Sequence, residues 1–142
     1  MNPLVDIKIE GTEQLLKGFE KYRKEAKKAI KRGIDRTAIA IESDAKTRLE
    51  GGLGGQRRIK TNRLRASTHA EMKMGESHGE YALNETIADN ESVAGTNVFY
   101  GPFIEFGTKF IKAMSFLGFA AVRQDKLLRQ RVEEELNKVT RE

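Results

Sequence analysis

Two histidines, His69 and His78, stand among Glu71, Glu76 and Glu80, the side-chain types from which a transition-metal site is assembled. A site of that kind needs at least three converging ligands. On a strand His69 and Glu71 share a face, but His78 falls in a turn, so the spacing predicts solvent-facing strand and turn residues and no metal. Gly51, Gly52, Gly54 and Gly55 follow a helical pattern and are not followed by Lys-Ser or Lys-Thr, which matches neither the dinucleotide fingerprint nor the phosphate-binding loop. A serine nucleophile would need a base, and two unpatterned histidines offer no triad. The chain has no Cys, which removes disulfides, thiolate metal sites and cysteine nucleophiles. The expectation is a protein that is not an enzyme and carries no cofactor.

Charge is the chemistry that remains. Lys and Arg number 26 against 21 Asp and Glu, a net charge of +5, unevenly spread. Residues 17–48 hold eleven basic and five acidic side chains, residues 57–73 six and one, and residues 74–108 six acidic with no Lys or Arg. Such segregation suits head-to-tail assembly of like subunits. Arg57, Arg58, Lys60, Arg63 and Arg65 form a basic group able to neutralise phosphates. Between residues 23 and 80 there is no aromatic residue, so stacking on single strands is not expected there. A nucleic-acid contact through this loop and the basic helix face, without sequence readout, is the alternative function.

At 142 residues the chain has the length of one domain, read as 1–142 with a mobile Gly- and Arg-rich loop at about 51–63. No apolar run approaches signal-peptide or membrane-span length, so a soluble protein made inside a cell, without membrane contact, is expected. Val5, Ile7 and Ile9 alternate with polar residues before Gly11, the pattern of a short strand. From Thr12, apolar residues recur every three or four positions through Leu15, Phe19, Tyr22, Ala26, Ile30, Ile34, Ala38, Ile41, Ala45 and Leu49, an amphipathic helix. Straight, it would measure roughly 55 Å, against a domain diameter of about 35 to 40 Å. It must bend, Gly33 being the natural place, or overhang the domain and find a neighbour. Strict alternation from Leu64 to Met74 predicts a strand. Further strands at Tyr81–Ile87 and Val93–Tyr100 complete an antiparallel meander, and Leu117, Ala121, Leu128, Val132, Leu136 and Val139 mark a final helix. The fold class is α+β: short N-terminal strand, long amphipathic helix, antiparallel β-meander packed against it, C-terminal helix.

Seven of the ten aromatic residues lie between Phe99 and Phe119. Most of them are expected to close the core where sheet meets final helix. In the run from Tyr100 to Lys109, Pro102 can open a helical turn, Phe103 and Phe106 share a face, and Gly107 can end the turn. Glu105, beside Ile104 and Phe106, is expected to pack into a neighbouring subunit and meet a basic loop there.

Taken in order, V-D-I-K-I-E-G, the long basic helix, T-N-R-L-R-A-S at 61–67, Y-G-P-F-I-E-F-G-T-K at 100–109, A-M-S-F-L at 113–117 and a closing charged helix resemble the tail-completion or neck proteins of long-tailed phages and prophages. The aromatic-Gly/Ala-Pro-apolar-apolar-Glu-Phe-Gly-Thr run is the most specific element, and it singles out Tyr100, Pro102, Phe103, Glu105, Phe106, Gly107 and Thr108. The chain departs from the family pattern at Asn62, where Gly is usual, and at Ser115, where Pro is usual. The resemblance implies a structural protein made in the bacterial host cytoplasm and placed at the head-tail junction or tail of the virion. It further implies a homo-oligomer, often a ring, that docks to connector or stopper, tail-terminator and tail-tube proteins and touches channel DNA non-specifically.

Overall fold

The sustained three-four apolar spacing produces one uninterrupted helix, α1, from Thr12 to Leu49. The computed structural model describes residues 12–57, 62–72, 79–83 and 87–141. The predicted strand at Val5–Ile9 lies outside them. After α1 come α2 (Arg63–Ser67), strand β1 (His69–Met72), a single 3₁₀ turn (Gly79–Tyr81), strand β2 (Ser92–Gly95), α3 (Gly101–Phe106) and α4 (Phe116–Arg141). A long helix, a two-stranded antiparallel sheet and a C-terminal helix make this an α+β chain.

α4 runs antiparallel along α1. The Arg48 guanidinium stacks on the Phe119 ring at 4.1 Å, Gln124 bonds Asp44, Arg131 donates to Thr37, and Arg32 donates to Glu135 at 2.9 Å. Midway, a Cβ on Gly33 would sit 2.7 Å from Val132 Cγ2 and 2.9 Å from its Cα. Glycine at this position lets the two helix backbones approach. Extrapolating those pairs, α4 ends level with about Ala26, and the earlier turns of α1 project past it. Leu15, Leu16, Phe19 and Tyr22 on that projection are 60, 63, 61 and 47% exposed. Of the two outcomes the length of the helix allowed, this is the overhang.

The core lies at the opposite end of α1, where Ala45 and Leu49 meet Leu64, Val98, Met114, Phe116 and Ala120. Phe116 is wholly buried, which for a Phe side chain is worth about 1.5 to 3 kcal/mol. Two expectations for the middle of the chain are corrected. Leu64–Ser67 is helix rather than strand: Asn62 adopts a left-handed φ of 60°, Leu64 and Ser67 point inward, and the Ser67 and Thr68 hydroxyls both donate to the Leu64 carbonyl. Those local bonds offer the backbone an alternative to a ladder. The sheet pairs only His69 with Gly95 through Met72 with Ser92. Among the described residues of 81–87 there is no strand, so the three-stranded meander is reduced to one pair.

Candidate interaction site

The 100–109 run is built on the core. The Gly101 amide donates to the Val98 carbonyl, Pro102 occupies the first turn of α3 as its fixed φ favours, and Tyr100 and Ile104 pack against the buried cluster. Gly107 then takes φ 75°, and a Cβ there would lie 2.6 Å from the Ala113 nitrogen and 2.7 Å from the Ile111 carbonyl. Thr108 closes the following turn: its amide donates to the Ile111 carbonyl, and its hydroxyl accepts from the Phe110 and Ile111 amides. The chain returns where the Met114 and Ser115 amides donate to the carbonyls of Ile104 and Glu105 at 2.9 and 3.0 Å.

Glu105 fastens this loop to α4. Its Oε2 accepts from the Leu117 amide and its Oε1 from the Gly118 amide, both at 2.8 Å, and the Ser115 hydroxyl donates to Oε1 at 3.2 Å. A half-buried carboxylate thus satisfies donors that the first turn of a helix leaves orphaned, at the positive end of its dipole. The sequence reading places Glu105 against a neighbour's basic loop; in the structure its oxygens are engaged within its own chain. Lys109, four residues on, sits over the Phe110 ring at 5.8 Å.

With Glu105 turned inward, the aromatic side chains of the segment turn outward. Phe99 is 78% exposed, Phe103 50%, Phe106 79% and Phe110 90%. Phe116 alone of the seven is fully buried, so the expectation that most of them close the core fails. For the two in α3 the physical reason is that the helix makes under two turns: Gly101, Ile104 and Glu105 take its inward side, leaving Phe103 and Phe106 on the far side.

The basic residues separate. Arg57 and Arg65 line one shallow depression with Glu50 and Asn62, and Arg65 is ion-paired to Glu50. Arg63 lies instead beside Glu80, Tyr81 and Tyr100. Arg58 and Lys60 fall outside the described residues. The glycines before them have fixed partners: the Gly51 and Gly52 amides donate to the Arg48 and Thr47 carbonyls, with Gly51 at φ 100°, the Schellman ending of a helix. Arg48 also donates to the Leu53 carbonyl. Of the loop expected at about 51–63, residues 58–61 lie outside the described residues.

His69 is 4% exposed, which corrects its solvent-facing assignment. Its Nε2 pairs with Glu71 Oε1 at 2.8 Å and its Nδ1 with the Ser67 carbonyl at 2.7 Å. Among the described residues no group of three metal-ligating side chains converges, and no helix is long and apolar enough to cross a membrane. Nearby, burial raises Glu42, but bonds from Lys46 and the Ala70 amide outweigh it and hold the carboxyl below its ordinary range.

The α1–α4 contact holds a cluster that periodicity gave no hint of. Glu135, 4% exposed, accepts from Lys138 at 2.7 Å, Arg32 at 2.9 Å and Arg36 at 3.0 Å. The Lys138 bond, then the Arg32 bond, lowers its pKa to about 2. Glu134, bonded by Gln130 and Arg36, is lowered as well. In the sequence, Glu135 is one of three consecutive glutamates, and nothing local distinguishes it. Comparison of the chain with protein-family models, with curated proteins and with solved structures gives no match.

Proposed function

We propose that the chain is a structural virion protein of a phage or prophage, acting in tail completion and head-tail joining. It would work through self-association and docking to connector or stopper, tail-terminator or tail-tube proteins. The observation that carries this reading is the outward set Phe99, Phe103, Phe106 and Phe110, held on a segment whose backbone is fixed by Glu105, Gly107 and Thr108. Exposed aromatics on a preformed surface suit protein contact. They also fall on the motif that carries the resemblance to neck proteins.

The test is a phage with Phe103→Ser and Phe106→Ser. Both side chains are exposed, so the protein should fold, and electron micrographs should show full heads beside unattached tails. Normal titres would refute the role of this surface. Normal titres after deletion of the gene would refute the assignment itself. Glu105→Arg is unsuitable here, since it would strip α4 of its cap.

A second reading, non-specific nucleic-acid binding, draws on the six Lys and Arg against three Glu between residues 13 and 28, on a projecting helix. It predicts that log affinity falls linearly and steeply with log salt concentration.

A further inference from the structure

We infer that the projecting part of α1 is a self-complementary surface that pairs two copies of this chain antiparallel, an inference independent of the virion assignment. Leu15, Phe19, Tyr22 and Ala26 continue, in steps of three, four or seven, into Gly33, Thr37 and Asp44, positions that α4 covers. One face of α1 is thus sheltered by α4 up to about Ala26 and bare beyond it. A second helix laid on the bare stretch in parallel would run into the end of α4. Laid antiparallel, it stops there, and the rest of the second molecule extends beyond the first one's N-terminal end.

The bare face also contains a receptor. Residues i, i+3, i+4 and i+7 surround the hole into which a facing helix inserts a knob, and at Leu15, Gly18, Phe19 and Tyr22 one corner is glycine. A Cβ on Gly18 would meet nothing within 4 Å, so no contact among the described residues accounts for a residue that weakens a helix interior. In the pair, glycine gives the hole depth for an aromatic ring from the second copy. The paired stripes would bury on the order of 1,000 Å² in total, the lower end of specific interfaces, so association is reversible and concentration-dependent. Because the outer faces of both helices are basic, added salt should strengthen the pair, the opposite of its effect on a bound polyanion.

Sedimentation of the full chain over micromolar to submillimolar concentrations tests this. A monomer–dimer equilibrium that tightens with salt is expected. Gly18→Leu should weaken association at least tenfold while raising the melting temperature of the dilute protein, a combination that a purely structural role would not give. Orientation is read by disulfide exchange, which the absence of native Cys makes clean. Leu16 and Arg23, seven apart, lie on one edge of the stripe, and like edges meet in an antiparallel pair. A mixture of Leu16→Cys and Arg23→Cys proteins should yield the mixed disulfide in excess of either like pair. Three results would overturn the inference: a full chain that stays monomeric, including one that dimerises only after residues 1–11 are removed; like disulfides in excess; or unchanged association in Gly18→Leu.

Discussion

The two ends of α1 expose apolar side chains in opposite ways. At its N-terminal end Leu15, Leu16, Phe19 and Tyr22 stand on a helix beyond the reach of α4. Near its C-terminal end, Phe103, Phe106 and Phe110 stand on a short helix and loop whose carbonyls and amides are tied to one another and to α4. An isolated helical stretch this short is marginal in water, so the first surface owes its shape to the helix it continues. The second owes its shape to hydrogen bonds with residues far away in sequence. Similar exposure therefore corresponds to different stiffness: one surface gains order from what covers it, and the other is preorganised.

The largest effect that sharpens this contrast compares three phenylalanines. Phe116→Ala should cost about 3 to 5 kcal/mol, whereas Phe106→Ala and Phe19→Ala, on the two exposed surfaces, should each stay within about 0.5 kcal/mol. Chemical denaturation of dilute protein measures all three, and a large loss for Phe106→Ala would place it in the core after all. A smaller effect compares glycines on one helix. Gly33→Ala should cost about 1 to 3 kcal/mol, because the new methyl meets the Val132 backbone, while Gly18→Ala should stabilise by up to about 1 kcal/mol. Equal shifts in thermal melts would erase the distinction between the covered and bare stretches.

The smallest effect concerns pH within the covered stretch. Glu135 has a folded pKa of about 2, below the roughly 4.3 of an unfolded Glu. Its contribution is therefore present above about pH 4.3 and is lost as pH falls toward 2. Stability followed by circular dichroism should decline through that window, and Glu135→Gln should flatten the decline. An unchanged acid slope in the variant would mean that the Arg32 and Arg36 bonds to Glu135 do not hold α4 to α1.

Legibility in the sequence followed the range of the forces involved. α1 was readable almost to the residue, as was its excess length, because helical periodicity is local and repeated over ten apolar positions. Pro102 and Gly107 were readable as the start and stop of a turn for the same reason. Glu105 was not, since a carboxylate that caps a helix beginning eleven residues later leaves no local signature. Nor could alternation over Leu64–Met74 reveal that Ser67 and Thr68 bond back to Leu64. The two departures from the neck-protein pattern acquire a physical meaning at the same level. Asn62 stands at φ 60°, where Asn substitutes for Gly at least cost. Ser115 stands at φ 49°, an angle that proline's ring forbids.

The return of the chain at Met114 and Ser115 to the carbonyls of Ile104 and Glu105 makes the stretch between them a closed excursion, anchored at its base whatever its contour. Doubling the length of a flexible loop costs only about 0.6 kcal/mol, and both strands of the base already belong to the folded body. With Gly107 and the Thr108 turn kept, the tip formed by Lys109 and Phe110 can therefore change in composition while the path of α4 stays the same, as in other scaffolds where variable loops sit on a constant frame. Molecular identity at this tip and architectural integrity beneath it are free to evolve on separate clocks.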